Sequence, residues 1–288
     1  MPWLWQFAQQ QCQSLNSIPS DKLTPMIFGR KPKVQIKTPE QIEKMRVAGL
    51  VVGNTLKLIQ QQTVAGMTTL DIDSIARAEL KRVGATPSFL NYHGYPAVVC
   101  TSVNDQVVHG IPDAYTLKDG DLVSVDFGAI VEGWHGDSAV TILIGNASEE
   151  SKALSDVTYR AMWAGLAAAK PGNTLGDVGH AIASVVNAEN RWGIVEDYVG
   201  HGIGTEMHME PSVPNFGTPG QGLTLEVGMA IAIEPMITAG HHHTQVLDDD
   251  WTVTTLDGQL AAHWEHTVAI TESGPWVLTE LDEQLARP

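Results

Sequence analysis

The spacing of apolar residues predicts a long helix that begins near residue 38. The run Thr38-Pro39-Glu40-Gln41 offers an N-cap, a proline at the first helical position and a capping-box glutamine. Apolar and small residues then recur every three or four positions, which places them on one buried face. They are Ile42, Met45, Gly49, Val52, Leu56 and Ile59. A second helix is expected from Thr68 to Leu80, with Asp71 in its capping motif and Gly84 at its end.

Beyond these helices the pattern changes to short runs of β-branched residues separated by Gly, Asn and Asp, which is typical of strands. These runs lie at residues 97–103, 122–125 and 140–144. Two helical segments follow at 151–169 and 174–187, and further strand-like runs lie at 230–233, 251–255 and 267–270. Helices followed by strands therefore occur twice, and the sequence predicts an α+β fold built from two similar halves.

Residue matches in the same order support an internal duplication. Each match keeps its spacing in both halves. The matches are Gly66-x-Thr68-x-x-Asp71 with Gly172-x-Thr174-x-x-Asp177, His109-Gly110-Ile111 with His201-Gly202-Ile203, the strand from Gly120 to Asp126 with that from Gly228 to Glu234, and the strand from Asp137 to Ile142 with that from Glu265 to Ile270. We therefore expect two halves related by a pseudo-two-fold axis.

The duplication brings acidic residues together. Matched strands meet at the axis, so Asp126 is expected beside Glu234 and Asp137 beside Glu265. Carboxylates repel one another strongly in a low-dielectric interior, and these strand segments contain no Lys or Arg. One or two divalent cations are the natural neutralisers, with His201 as a nitrogen ligand. This donor set favours Mn, Fe, Co or Zn over Mg or Ca, and a pair of ions about 3.5–4 Å apart predicts hydrolysis.

Other motifs have simpler interpretations. The segment Gly200–Gly204 fits neither the dinucleotide nor the Walker spacing of a phosphate loop. There is no H-E-x-x-H, G-x-S-x-G or C-x-x-C motif. The run His241–His243 is interpreted as a solvated hairpin loop, with adventitious metal binding as the alternative. For Trp251, the pattern leaves open whether the ring faces the cleft or packs in the core.

The composition is that of a globular protein and limits its partners. The 288 residues are 43% hydrophobic and 17% charged, and the net charge of -16 disfavours nucleic acids and anionic membranes. No apolar run approaches the roughly 18 residues that a membrane-spanning helix requires. Met1–Ala8 lacks the basic region of a signal peptide, so a cytoplasmic location is expected. Cys12 and Cys100 are too few for a disulfide framework, and a bridge between them is the less favoured alternative.

Several segments resemble those of type I methionine aminopeptidases in order and spacing, over about residues 38 to 282. They are 91–96 (NYHGYP), 102–105 (SVND), 108–112 (VHGIP), 125–126 (VD), 134–137 (WHGD), 200–204 (GHGIG), 208–211 (HMEP), 233–236 (IEPM) and 265–267 (EHT). The resemblance implies the pita-bread α+β fold, in which two related halves form a central antiparallel sheet covered by helices. It also implies a catalytic domain at residues 38–288. Residues 1–37 are rich in Gln and Pro and show little periodicity, so they are interpreted as an extension outside this domain.

The resemblance assigns roles to the residues that match the family motifs. It implies two divalent ions held by Asp126, Asp137, His201, Glu234 and Glu265, with Asp137 and Glu265 shared by both ions. Glu234 is then also the general base for a hydroxide bridged between the ions. His208 stabilises the oxyanion, and His109 forms a hydrogen bond near the scissile amide nitrogen. The free α-amine of the substrate binds on the Asp126 side, which explains why only chain ends are cut.

The same resemblance implies the substrate and its pocket. The substrate is the initiator methionine of nascent chains whose second residue is small. Its side chain enters an apolar pocket lined by Phe89, Tyr92, Tyr95, Cys100, Met207 and Trp251. Met207 departs from the family, which often has an aromatic residue before this histidine. A transient ribosome contact and a monomeric state complete these expectations.

Two other functions remain open from the sequence. Aminopeptidase P and prolidase share the fold and ligand set, so an X-Pro hydrolase is the nearest rival. The segment Tyr92-His93-Gly94-Tyr95 and the short chain argue against it. A catalytically silent binding protein of the same fold is the second rival. It would be expected to have lost ligands, whereas all five positions and both histidines are filled.

Overall fold

The computed structural model describes residues 34–287. Most of the predicted extension at residues 1–37, including Cys12, lies outside the described residues. Its last part does not: Val34 packs against a core cluster, and the backbone N–H of Lys37 donates to the carbonyl of Gly228 at 2.8 Å. The boundary at residue 38 stays a prediction.

Four α-helices are present within residues 34–287: α1 (Pro39–Gln62), α2 (Thr69–Val83), α3 (Glu149–Ala168) and α4 (Leu175–Asn187). Helix α1 begins with the predicted capping box, in which Thr38 and Gln41 each accept the other's backbone N–H. Helix α2 ends as expected at Gly84, whose φ of 74° favours glycine. The predicted helices therefore all form, with boundaries that shift by a few residues.

The same part of the chain contains fifteen strands. In chain order they are β1 (Thr86–Pro87), β2 (Val99–Val103), β3 (Gln106–Val108), β4 (Leu122–Val131), β5 (Trp134–Leu143), β6 (Gly193–Ile194), β7 (Gly200–Gly202), β8 (Met209–Val213), β9 (Ala230–Ile233), β10 (Met236–Thr238), β11 (Thr244–Val246), β12 (Val253–Thr255), β13 (Ala261–His263), β14 (Glu265–Thr271) and β15 (Gly274–Val277). A short 3-10 turn covers Tyr92–Gly94.

Nine of these strands form one antiparallel sheet. Its order is β1-β4-β5-β14-β9-β7-β8, with β2 added to β4 and β15 added to β14. Two three-stranded sheets, β13-β10-β6 and β11-β12-β3, complete the fold. Helices α1 and α2 pack on the strands of the first half, and α3 and α4 on those of the second, which gives two large apolar clusters. No helix within residues 34–287 has the length and apolar character needed to cross a membrane.

The two halves meet where β5 lies beside β14, a contact we call the seam. Backbone pairing at the seam involves only Ala139 with Glu265 and Ser138 with His266. Side-chain hydroxyls extend the connection, because Ser138 Oγ donates to the carbonyl of Glu265 and Thr141 Oγ1 donates to that of His263 at 2.8 Å. The seam is thus held by few backbone pairs and several buried hydroxyls.

Equivalent local features recur in the two halves, as the duplication predicts. Isolated bridges join Thr68 to Thr116 and Thr174 to Thr224. Both threonines that precede a helix form a capping box with the aspartate three residues later. Matching turns therefore support the second helix of each half.

The predicted match between Asp137 and Glu265 is wrong by two residues. The N–H groups of Gly120 and Gly228 donate to the carbonyls of Ile144 and Ile270, so the second strands differ by 126 positions and Ala139 is the counterpart of Glu265. Side chains alternate between the two faces of a strand, so a shift of two residues keeps the same face. Both acids therefore still point to the same side of the sheet.

Candidate active site

The predicted metal ligands come from five strands or strand ends. Asp126 lies in β4 and Asp137 in the neighbouring β5, and Glu265 begins β14. His201 is the central residue of β7, next to an irregularity in its pairing with β8, and Glu234 directly follows β9. These strands belong to the large sheet, which brings residues that are far apart in sequence into one place.

Three of these residues form a compact group. One ligand atom from each of Asp137, His201 and Glu265 lies within 4.8 Å of the others. His201 Nε2 is 4.0 Å from Asp137 Oδ2 and 3.5 Å from Glu234 Oε1. Asp126 and Glu234 lie outside the compact group but line the same cavity.

The carboxylates have the electrostatics of a cation site. The buried atoms Asp126 Oδ1, Asp137 Oδ1 and Glu265 Oε1 have no hydrogen-bond partner, and no Lys or Arg is found among the described residues that line the cavity. Burial raises the pKa of Asp126 and of Glu234 to about 7, and it raises the pKa values of Asp137 and Glu265 well above their usual range. Burial removes water from these carboxylates, and no Lys or Arg of the described cavity lining compensates their charge. Divalent metal ions would compensate it, so the site fits them.

Two further histidines line the same cavity as the carboxylates. The ring centroid of His208 lies 4.3 Å from that of His201, and its Nδ1 is 2.8 Å from Tyr92 Oη. His109 adopts a left-handed backbone with φ of 61°. Desolvation lowers the pKa of His109 to about 4 and that of His208 well below its usual range, so both rings are neutral near pH 7.

An apolar pocket adjoins the acidic group. The pocket and the acidic group belong to one cavity with a volume of about 120 Å³. All six residues that the sequence assigns to the substrate pocket line this cavity. They are Phe89, Tyr92, Tyr95, Cys100, Met207 and Trp251. Tyr95 is fixed because its hydroxyl proton is shared between the carbonyls of Val99 and Gly110, each 3.0 Å from the Tyr95 hydroxyl oxygen. The ring of Trp251 packs edge-on against Tyr95 with centroids 5.0 Å apart, so it faces the cleft.

Sequence reasoning missed His263. This residue is 2% exposed, and its Nε2 lies 3.6 Å from Glu234 Oε2 and has no hydrogen-bond partner among the described residues. It precedes Glu265 by two positions, and residues two apart in an extended chain point to the same side. That spacing is the only sequence signal that could have indicated it. Tyr198 was missed too, although its ring lies 5.8 Å from that of His109.

Other features of the sequence lie away from this chemistry. The segment Gly200–Gly202 forms strand β7, so it is no phosphate loop. His241–His243 lies between β10 and β11, where the N–H of His241 donates to Asp257 Oδ2. A second cavity of about 430 Å³ includes Tyr159, Trp264 and His266 in its wall, and none of the predicted site residues lines it.

Known proteins resemble this chain in sequence and in structure. The profile of Metallopeptidase family M24 matches residues 43–272. A protein of Mycobacterium tuberculosis named methionine aminopeptidase 1 is 51% identical over 83% of this chain and 92% of its own. The crystal structure of a methionine aminopeptidase from Thermotoga maritima has a TM-score of 0.84 and 42% identity, and the match covers 86% of this chain and 100% of that one.

A more distant match concerns the fold alone. A prolidase from Pyrococcus furiosus has a TM-score of 0.67 and 23% identity, covering 86% of this chain and 66% of its own. Together with the aminopeptidase structure, it confirms the predicted pita-bread fold. The identity shared along most of the chain with the Mycobacterium tuberculosis protein, and the match to the family profile, show that this chain belongs to metallopeptidase family M24 and, within it, to the methionine aminopeptidases.

Proposed function

We propose that this chain is a dinuclear metalloenzyme that removes the initiator methionine from nascent chains whose second residue is small. The observation that supports this most is the set of buried carboxylate oxygens without donors, which lies beside an apolar pocket in one cavity. Asp126, Asp137, His201, Glu234 and Glu265 would hold the ions, with Asp137 and Glu265 shared between them. Their oxygen and imidazole donors fit Mn, Fe, Co or Zn.

The pocket fits the methionine side chain. Thioether sulfur packs favourably at the edges of aromatic rings, and the wall contains Phe89, Tyr95 and Trp251. Cys100 of the pocket is the direct cross-strand partner of Asp126. A methionine whose side chain fills the pocket therefore has its α-amine close to Asp126, which restricts cleavage to a free chain end.

The remaining groups are proposed to act on the scissile bond. Divalent ions held by these residues would supply a water molecule of lowered pKa and a Lewis acid for the scissile carbonyl. Glu234 accepts the proton of the attacking water at a carboxylate oxygen, as general base, and then returns it to the departing amine nitrogen, as general acid. His208 donates a hydrogen bond to the developing oxyanion, and His109 donates one to the substrate amide.

Substitution of Glu234 tests the assignment of the base. Glu234→Ala should lower kcat for a Met-Ala-Ser peptide by at least about 10²-fold while the circular dichroism spectrum stays that of wild type. His180→Gln on the exposed side of α4 serves as the control. Turnover by Glu234→Ala at the wild-type rate contradicts the role proposed for this residue.

Chelation tests whether activity requires a metal, and metal analysis measures the number of bound ions. Dialysis against EDTA should abolish cleavage of Met-Ala-Ser, and one of Mn, Fe, Co or Zn should restore it. Protein purified without oxygen should contain two ions per chain. Cleavage that survives complete metal removal would falsify the proposal.

Peptide specificity separates the proposal from the X-Pro hydrolase. The enzyme should cleave Met-Ala-Ser and leave an Ala-Pro peptide intact, and the opposite result favours the rival. A cytoplasmic monomer with a transient ribosome contact completes the proposal. Sedimentation of the purified chain and co-sedimentation with ribosomes measure its oligomeric state and its ribosome binding.

A further inference from the structure

Each carboxylate oxygen of Glu234 faces a different imidazole. Oε1 lies 3.5 Å from His201 Nε2, and Oε2 lies 3.6 Å from His263 Nε2. The Glu234 side chain is 13% exposed and the His263 side chain 2%. Within residues 34–287 no donor reaches either oxygen at hydrogen-bond distance, so the buried His263 ring faces an unpaired lone pair of Oε2.

The backbone of His263 is held firmly in this position. Its N–H donates to Ser124 Oγ at 3.1 Å and to Thr141 Oγ1 at 3.2 Å, and its carbonyl accepts from Thr141 Oγ1. Its Cα also pairs with Met236 across the β10–β13 ladder. The ring can therefore turn about its own torsions, but its backbone keeps it buried beside Glu234.

The backbone of Glu234 is fixed as well. Asn215 Nδ2 donates to the carbonyl of Glu234 at 3.2 Å, and Asn215 is fully buried. With both backbones fixed, only a small side-chain rotation separates the observed 3.6 Å from a hydrogen bond of about 2.9 Å between Nε2 and Oε2. Forming it would satisfy the buried Nε2, which otherwise lacks a partner.

We infer that His263 is a positioning residue, which donates its Nε2–H to Glu234 Oε2 and so directs Oε1 to the metal ions beside His201. This inference rests on the proposed function of Glu234 as a ligand. Carboxylates that bind metal are themselves held by hydrogen bonds, and loss of such an outer partner usually weakens metal binding or activity by about 10–100-fold. Nothing in the family resemblance pointed to this position.

Direct ligation by His263 is the alternative that the experiment must separate. His263 is not part of the compact group of Asp137, His201 and Glu265. A glutamine places an amide N–H where the Nε2–H of histidine lies, but it has no imidazole nitrogen with which to bind a metal. His263→Gln therefore preserves the positioning role and removes a ligand, whereas His263→Leu removes both.

The test compares these two variants with wild type and with the exposed control His180→Gln. Calorimetric titration of the metal-free proteins with Mn²⁺ should give a dissociation constant about 10–100-fold higher for His263→Leu, and within about threefold of wild type for His263→Gln and His180→Gln. Turnover of Met-Ala-Ser at saturating Mn²⁺ should fall in kcat rather than rise in KM for His263→Leu. Equal Mn²⁺ affinity of His263→Leu and wild type, or equal loss in both His263 variants, overturns the inference.

A measurement on the wild type makes the test independent of whether the leucine variant folds. Long-range ¹H–¹⁵N spectra of the Mn-free, Zn-loaded protein should show His263 protonated at Nε2, and a proton at Nδ1 alone overturns the inference. Failure of the proposed function would instead appear as a wild-type protein that binds no metal or leaves Met-Ala-Ser uncut. The two failures are therefore distinguishable.

Discussion

Thr267 and Asp137 are linked in both directions across the seam. Thr267 Oγ1 donates to the carbonyl of Asp137 at 2.7 Å and accepts the N–H of the same residue at 3.2 Å. Thr267 is fully buried. Because backbone pairing at the seam is limited to two residue pairs, this hydroxyl replaces the next step of the ladder, beside two of the proposed metal ligands.

Loss of this hydroxyl should loosen the seam. Thr267→Val keeps the side-chain shape but leaves the N–H and carbonyl of Asp137 unpaired, which should lower the free energy of unfolding by about 1–3 kcal/mol. Urea unfolding in EDTA measures this change. Thr267→Ser retains the hydroxyl and should lose less. A Thr267→Val midpoint equal to that of wild type would show that the link adds no stability.

The metal-free protein should become less stable as the pH rises. Burial raises the pKa of Asp126 and of Glu234 to about 7, whereas carboxyl groups of the unfolded chain titrate near about 4. Between these values the folded state binds more protons than the unfolded state, so these groups lower the free energy of unfolding from about pH 4 to about pH 7. Urea titrations in EDTA across this range measure the slope.

The variant Asp126→Asn separates this pH dependence of stability from an opposing contribution by His109. The lowered pKa of His109, about 4, adds stability as the pH rises to about 6.5. Wild type and Asp126→Asn share this histidine, so the difference between them reports the carboxyl group. Asp126→Asn should show the smaller decline, and saturating divalent metal should remove the decline in wild type. An identical decline in both metal-free proteins contradicts the prediction.

Cys100 should be chemically inert at neutral pH. Burial raises the pKa of its thiol well above the usual range, and the residue is 5% exposed. Because the thiolate is the nucleophile, alkylation by iodoacetamide should be at least about tenfold slower than for free cysteine. Mass spectrometry of a Cys12→Ser variant, in which Cys100 is the remaining cysteine of the sequence, measures the rate. Unfolding in urea should restore ordinary reactivity, and rapid labelling of the folded protein would contradict the prediction.

Met207 should contribute to recognition of the methionine side chain. It is 3% exposed and forms part of the pocket wall. Met207→Ala removes apolar contacts made in both the ground state and the transition state, so kcat/KM for Met-Ala-Ser should fall about tenfold or more, mainly through KM. Met67→Ala, outside the cavity, is the control. An unchanged KM in Met207→Ala would exclude Met207 from the specificity pocket.

The sequence predicted long elements well because their signals are periodic. Helix α1 follows its apolar spacing and capping box, and the helices at Thr68 and Thr174 follow theirs. Strand β4 was expected to end at Asp126 but continues to Val131, because its pairing with β5 extends beyond this polar residue. Very short strands, such as β6, show no period and were missed.

The site was predicted less evenly. Asp126 and Glu234 could be found because they hold equivalent positions in the two halves. Asp137 and Glu265 were found through a match that is out of register by two residues, and the structure brings all four acids into one cavity. Their register could not be derived, since a shift of two residues leaves the facing side unchanged. His263 belongs to no motif, and only the tertiary packing of β13 against β4 and β5 shows what it faces.

The proposed ligands are divided between the halves: Asp126 and Asp137 precede α3, whereas His201, Glu234 and Glu265 follow it. Because Asp137 and Glu265 would be shared by both ions, each ion would link the two halves, and unfolding of either half would release it. At a free metal concentration about one hundred times the dissociation constant, each bound ion would raise the free energy of unfolding by about 2.7 kcal/mol. Removal of the metal should therefore make this protein more sensitive to proteases, in addition to abolishing its activity.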